Sequence, residues 1–149
     1  MAAPMIPPAH APAFLAAHGW GDAQILPLAG DASFRRYFRI VGKDRQAVLM
    51  DAPPPHEDPR PFIAVAEYLC RLGLSAPPIL ARDLEKGLLL IEDFGDVRLR
   101  ETVDEQNDRE ADYYAGVIDL LVHLHACPAM DGLPVHGLEQ WLDEVLLFT

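Results

Sequence analysis

The residues of this 149-residue chain whose types and spacing could do chemistry are concentrated in one stretch: Gly30-Asp31-Ala32-Ser33-Phe34-Arg35-Arg36-Tyr37-Phe38-Arg39-Ile40. Gly30 permits positive φ at a turn, and successive backbone N–H groups in such a turn can point at phosphate oxygens. Arg35, Arg36 and Arg39 add three guanidinium groups in five positions, each always charged and able to fork onto phosphate. The chemistry implied is the cradling of a small anion by backbone amides and arginine. On spacing alone an ordinary hairpin with solvated arginines is the standing alternative, because a single-glycine turn is far weaker than a full glycine fingerprint.

The elements that would hold this stretch follow from periodicity. A short helix is expected over 9–18, stopped by Gly19-Trp20-Gly21. Strands follow over 24–29, 33–41 and 46–51, with Gly42-Lys43-Asp44 closing the hairpin between the second and third. Alternation puts Phe34, Arg36, Phe38 and Ile40 on one face of the second strand and Ser33, Arg35, Tyr37 and Arg39 on the other. Residues 52–59, rich in proline, read as an extended linker that no helix can cross. Asp51, Glu57 and Asp58 beside those prolines read as solvated.

A helix is expected over 61–72, its apolar residues at helical spacing and Gly73 as its cap. Strands over 79–83 and 88–92 come next, and the unbroken run Leu88-Leu89-Leu90-Ile91 suits a strand buried on both faces. Asp93-Phe94-Gly95-Asp96 breaks the pattern as a linker, with Asp96 the expected cap of a helix over 97–102. Further helices are expected over 108–126 and from Leu138 to Phe148. The fold class is therefore α+β: an antiparallel sheet of about five strands with one helix packed on it, then helices. The apolar stripes of the last two helices lack an obvious partner. They imply a fragment of a longer protein or self-association through the final helix.

Composition narrows the function. The net charge of −11 repels nucleic acid and anionic membrane. Two cysteines, Cys70 and Cys127, and no signal-peptide pattern suit a reduced, cytoplasmic protein. No apolar run approaches the roughly 20 residues of a membrane span. His123, His125 and Cys127 resemble a metal cluster in sequence, but residues i and i+2 of a helix diverge, so they do not converge on one ion.

Four runs in order carry a resemblance. They are Gly30-Asp31-Ala32-Ser33-Phe34-Arg35-Arg36-Tyr37-Phe38-Arg39; Val48-Leu49-Met50-Asp51-Ala52-Pro53-Pro54-Pro55; Leu88-Leu89-Leu90-Ile91-Glu92-Asp93-Phe94-Gly95-Asp96; and Leu121-Val122-His123-Leu124-His125. Together they resemble the aminoglycoside phosphotransferase and choline kinase family from about Leu15 onward. Within it the chain is most similar to the bacterial kinases that phosphorylate the anomeric hydroxyl of N-acetylmuramate and N-acetylglucosamine. The Ser33-Phe34-Arg35-Arg36-Tyr37 and Met50-Asp51-Ala52-Pro53-Pro54 runs point to that subgroup.

The resemblance implies a protein-kinase-like small lobe over 1–92 that binds ATP, a hinge over 93–96 and the start of a helical lobe over 97–149. Gly30, Asp31, Ser33 and Phe34 would belong to the loop over the ATP phosphates. Glu67 would be the helix glutamate that normally pairs with a strand-three lysine, although a surface glutamate is the plain alternative. Glu92, Asp93 and Phe94 would hold the adenine edge through main-chain groups, and His125 would close its helix.

Two departures matter. Met50 stands where the strand-three lysine is expected, and the chain has only two lysines, Lys43 and Lys86, both in turns. Arg35 or Arg36 then has to supply the missing charge. The family's His-Gly-Asp catalytic loop and its later metal-binding aspartate are absent from these residues. The expectation is the ATP-binding portion of a cytoplasmic sugar kinase, inactive as it stands, with Mg²⁺ ligands outside the chain. A non-catalytic kinase-like module, or a kinase of an aminoglycoside, choline or homoserine, remains the alternative.

Overall fold

The computed structural model describes residues 5–28, 34–135 and 137–147. Gly30, Asp31 and Ser33 of the expected phosphate loop lie outside the described residues. Helix α1 (Ala11–Ala17) leads into strands β1 (Gln24–Pro27), β2 (Arg36–Val41) and β3 (Gln46–Asp51). Helix α2 (Arg60–Arg71) precedes β4 (Ile79–Asp83) and β5 (Leu88–Glu92). Helices α3 (Leu99–Glu105), α4 (Glu110–Ala126) and α5 (Leu138–Leu146) complete the chain, with a 3₁₀ turn at Asn107–Arg109.

The strands form one antiparallel sheet in the order β1-β2-β3-β5-β4. This is the expected α+β architecture of a kinase-like small lobe followed by helices. β2 begins three residues later than alternation suggested, and α3 starts two residues later.

Why this sheet forms is visible in its two faces. Phe38 and Ile40 of β2, Ala47 and Leu49 of β3, and Leu88 and Leu90 of β5 point to one side. Phe14, Leu15 and Trp20, from α1 and the turn after it, cover them. Met50, Leu89 and Ile91 point to the other side, where Ile63 of α2 covers them and Tyr37, Val48 and Phe62 pack at the margin. β5 is therefore buried on both faces, as its unbroken apolar run requires. The sheet carries a helix on each face, not one helix in all. α1 is short, but its three buried residues close a side that would otherwise expose Phe38 and Leu49 to water.

The proline-rich segment is not extended. The His56 and Glu57 N–H groups both donate to the Pro53 carbonyl at 3.1 Å, which folds residues 53–57 into a turn. The proline rings fix φ and so reduce the entropy lost in making it. Gly87 locks the same corner. Its φ is +68°, and a Cβ there would lie 1.9 Å from the Ala52 carbonyl oxygen. Only glycine allows this approach, and the Ala52 N–H donates to the Gly87 carbonyl at 2.8 Å.

The helical part attaches to the sheet part through α2, where the Tyr68 hydroxyl donates to the Pro128 carbonyl. Val117, Ile118, Leu121 and Val122 of α4, and Leu142 and Val145 of α5, stay exposed.

Candidate functional site

The face carrying Met50 has a readable layout. Cross-strand partners share a face. One row runs Leu26–Arg39–Val48–Ile91 across β1, β2, β3 and β5, and the next contains Tyr37–Met50–Leu89. α2 covers the Met50 end. Leu26 is exposed, and Arg39 and Val48 are half-buried, so the other end of this face is open. The Phe34–Arg35 segment that leads into β2 borders the Met50 row, and the 93–96 segment borders the Arg39 row.

Met50 is fully buried among Ile63, Leu89 and Ile91. Its position on β3 faces α2, but no carboxylate of that helix answers it. Glu67 turns away to the sheet edge, where its Oε1 accepts from Arg82 Nη1 at 3.4 Å, and both side chains are about half exposed. The structure does not bring Met50 and Glu67 together.

The arginines separate. Arg36 pairs with Asp51 through Nε at 2.9 Å and through a second, shorter contact from Nη2, and its Nη1 donates to the Ile6 carbonyl at 3.1 Å. Register puts Arg36 opposite Asp51 and Tyr37 opposite Met50, so Arg36 lies on the side of the sheet away from Met50. Asp51 is 1% exposed. The expectation of a solvated Asp51 is corrected: the strand carries it into the sheet, and only Arg36 makes its burial affordable.

Arg35 stays near the Met50 side. Its Nε donates to Glu57 Oε2 at 3.0 Å, and its guanidinium neighbours the Tyr37 hydroxyl. The same Glu57 carboxylate accepts the Phe34 N–H at 3.2 Å, and the Phe34 ring stacks on His56 with centroids 5.1 Å apart. Glu57 is thus a clasp on the Phe34–Arg35 segment and not a solvated linker residue, because the Pro53 turn aims it there. Burial opposes the charged form of Arg35, while Glu57 and Tyr37 together outweigh that and hold its pKa above the ordinary value. Asp58 is the one of the three acids that stays exposed, paired with Arg60.

The 93–96 segment is organised by Arg39, which the sequence placed in the anion cradle and the structure commits to two aspartates instead. Arg39 gives Nε and Nη2 to Asp93 at 2.6 and 3.2 Å, and Nη1 and Nη2 to Asp96 at 2.7 and 2.9 Å. Asp93 Oδ1 also accepts the Gly95 N–H at 2.8 Å, and Gly95 takes φ +76°. The two aspartates raise the Arg39 pKa further, and Arg39 holds the Asp96 carboxyl below the usual range. Asp96 is therefore not the cap of α3. The N-cap residue is Arg98, whose N–H donates to Glu101 Oε2 at 3.1 Å. Parity was the available signal, since it puts Arg39 on the Met50 side and near the end of β5. Of the expected adenine contacts, the Glu92 N–H is engaged by the Pro78 carbonyl at 3.1 Å, and Phe94 is exposed.

Two other features lie apart from this face. His125 borders an apolar groove of about 530 Å³ with Val65, Tyr68 and Leu124. A cleft of similar size beside Trp20 and Arg45 belongs to the α1 side of the sheet. Among the described residues no three His, Cys, Asp or Glu side chains converge as a metal site, and no helix is long and apolar enough to cross a membrane.

Comparison with known proteins gives the lineage. The N-acetylmuramate/N-acetylglucosamine kinase of Pseudomonas aeruginosa is 54% identical over 87 residues, which cover 56% of this chain and 26% of that protein. The proteins of the same name from Pseudomonas putida and Caulobacter vibrioides are 37% and 35% identical over 88% and 84% of this chain. The chain spans 26–42% of the length of these relatives. The model of the phosphotransferase enzyme family matches residues 24–148, so the chain belongs to the phosphotransferase enzyme family.

Proposed function

We propose that this chain is the nucleotide-binding portion of a kinase that transfers the γ-phosphoryl group of ATP to a hydroxyl of an amino sugar, in a cytoplasmic route that recycles cell-wall sugars. The observation that carries the reading is the half-open sheet face between the Phe34–Arg35 segment and the Arg39-bound 93–96 segment. A nucleotide laid along it has its base over Leu26 and Val48, beside the main chain of Asp93 and Phe94. Its phosphates then reach the Phe34–Arg35 end. Phe34 N–H and the Arg35 guanidinium already hold one carboxylate there, that of Glu57. A phosphate offers the same acceptor chemistry. Arg35 takes the part of the absent lysine. Arg36 does not, since it serves Asp51 on the other side of the sheet.

The acceptor assignment follows the relatives, which are N-acetylmuramate/N-acetylglucosamine kinases by name. Phosphoryl transfer also needs a carboxylate to orient the hydroxyl and ligands for Mg²⁺. We place both in the further length that the relatives possess, and assign the exposed α4 and α5 faces to packing against it. The test uses γ-labelled ATP with N-acetylmuramate or N-acetylglucosamine. The chain extended to the length of its relatives is expected to label the sugar, and the 149 residues alone are expected not to. Labelling of choline or an aminoglycoside in preference to either sugar would overturn the acceptor. Absence of transfer to any of them would favour a binding module.

A further inference from the structure

We propose that Arg39 is a positioning residue for base recognition: by binding Asp93 and Asp96 together it fixes the main chain that meets the purine. The inference rests on the nucleotide-binding reading and deepens it.

Four N–H···O contacts run from a single guanidinium to two carboxylates that are three residues apart. A planar fork can satisfy both acids only in one relative orientation, so the contact sets the path of the intervening backbone. Asp93 is almost fully buried and Arg39 largely so, which limits solvent screening of their contact. Asp93 also accepts the Gly95 N–H, so the carboxylate couples the guanidinium directly to the turn at Phe94-Gly95. Arg39 itself is rooted in the middle of β2 and paired with Leu26 and Val48 on its flanks. The rigid sheet thereby dictates where the 93–96 main chain stands above the open end of the face. Arg39 touches no base in this arrangement, and it acts through the backbone it holds.

A second feature fits this role and not a purely stabilising one. The pair partner nearest the turn of the chain, Asp96, is 80% exposed, so its half of the fork does little to bury charge. Its effect is geometric, tying the far end of the segment back to β2.

The test compares two probes on the 149-residue chain, each with Mg²⁺: ATP, which carries base and phosphates, and inorganic tripolyphosphate, which carries phosphates alone. For Arg39→Ala, and for the milder Asp96→Asn, ATP affinity is expected to fall, by about tenfold for the former. Tripolyphosphate affinity is expected to hold. Arg39→Lys, a point charge without a fork, is expected to rescue only part of the loss. Equal loss of both probes would mark a general structural role and overturn the inference, as would unchanged ATP affinity in both variants. Asp96→Asn keeps the comparison valid should Arg39→Ala fail to fold. Failure of the unmodified chain to bind either probe would overturn the nucleotide reading itself, and the inference with it.

Discussion

Arg36 and Asp51 face each other across the β2–β3 hairpin, and Asp51 is buried more deeply still than Asp93, another acid drawn out of water by an arginine. The pair is asymmetric, for Arg36 is 40% exposed and Asp51 1%. Removing the arginine strands a buried carboxylate, whereas removing the charge of the aspartate leaves an arginine that water can solvate. Arg36→Ala is therefore expected to cost roughly 1–3 kcal/mol and Asp51→Asn distinctly less. Urea unfolding of the two variants measures the difference. Equal costs would mean that the carboxylate is not held in the way described.

Met50 gives the second prediction. Its side chain sits in a closed apolar cluster with Ile63, Leu89 and Ile91. Restoring the family lysine by Met50→Lys puts an ammonium there without a carboxylate, because Glu67 is engaged with Arg82 at the edge. A loss of about 2–4 kcal/mol is expected, against under about 1.5 kcal/mol for Met50→Leu. Thermal melting separates these. A Met50→Lys protein as stable as the parent would show that α2 can turn Glu67 inward.

Acid sensitivity follows from Asp96, whose carboxyl Arg39 holds below the usual range. A carboxylate with a depressed folded pKa contributes stability that is fully present above its unfolded value, near pH 4. That contribution is lost as pH falls from there through the lowered folded value. Asp58 and Asp83, lowered by Arg60 and Lys86, act in the same direction. The melting temperature should thus drop below about pH 4, and Asp96→Asn should flatten that limb, its cost being largest at neutral pH and vanishing where the parent's Asp96 is itself protonated. A variant with an unchanged acid limb would remove Asp96 from the account.

Much of the sheet was legible because strand physics is local. Alternation in β2 and the apolar run of β5 report burial directly, and both faces came out as those patterns imply. The ion pairs were not legible. Arg39 finds its partners 54 and 57 residues away, and Glu57 reaches Arg35 only because Pro53 starts a turn. Which carboxylate meets which arginine depends on register and on loop shape, neither of which has a periodic signature. The same holds for α1, whose length alone gave no sign that it closes a whole face of the sheet.

Gly87 offers a check on that loop shape. A side chain at φ +68°, with its Cβ 1.9 Å from the Ala52 oxygen, forces the β3 exit and the β5 entry apart. Gly87→Ala is expected to destabilise by at least about 2 kcal/mol, the strain of the backbone and the clash acting together. It should also speed hydrogen exchange at the Ala52 amide. Near-parental stability would contradict the close approach.

The central claim is that this face binds a nucleotide and that Arg35, not Arg36, answers its phosphates. Thermal melting of the chain in rising Mg-ATP tests it most directly. A ligand at 100 times its Kd stabilises by about 2.7 kcal/mol, an effect well within reach of the method. The account predicts an upward shift for the parent and for Arg36→Ala, the latter from a lower starting point, and a much reduced shift for Arg35→Ala. No shift in the parent, or one undiminished in Arg35→Ala, would contradict it.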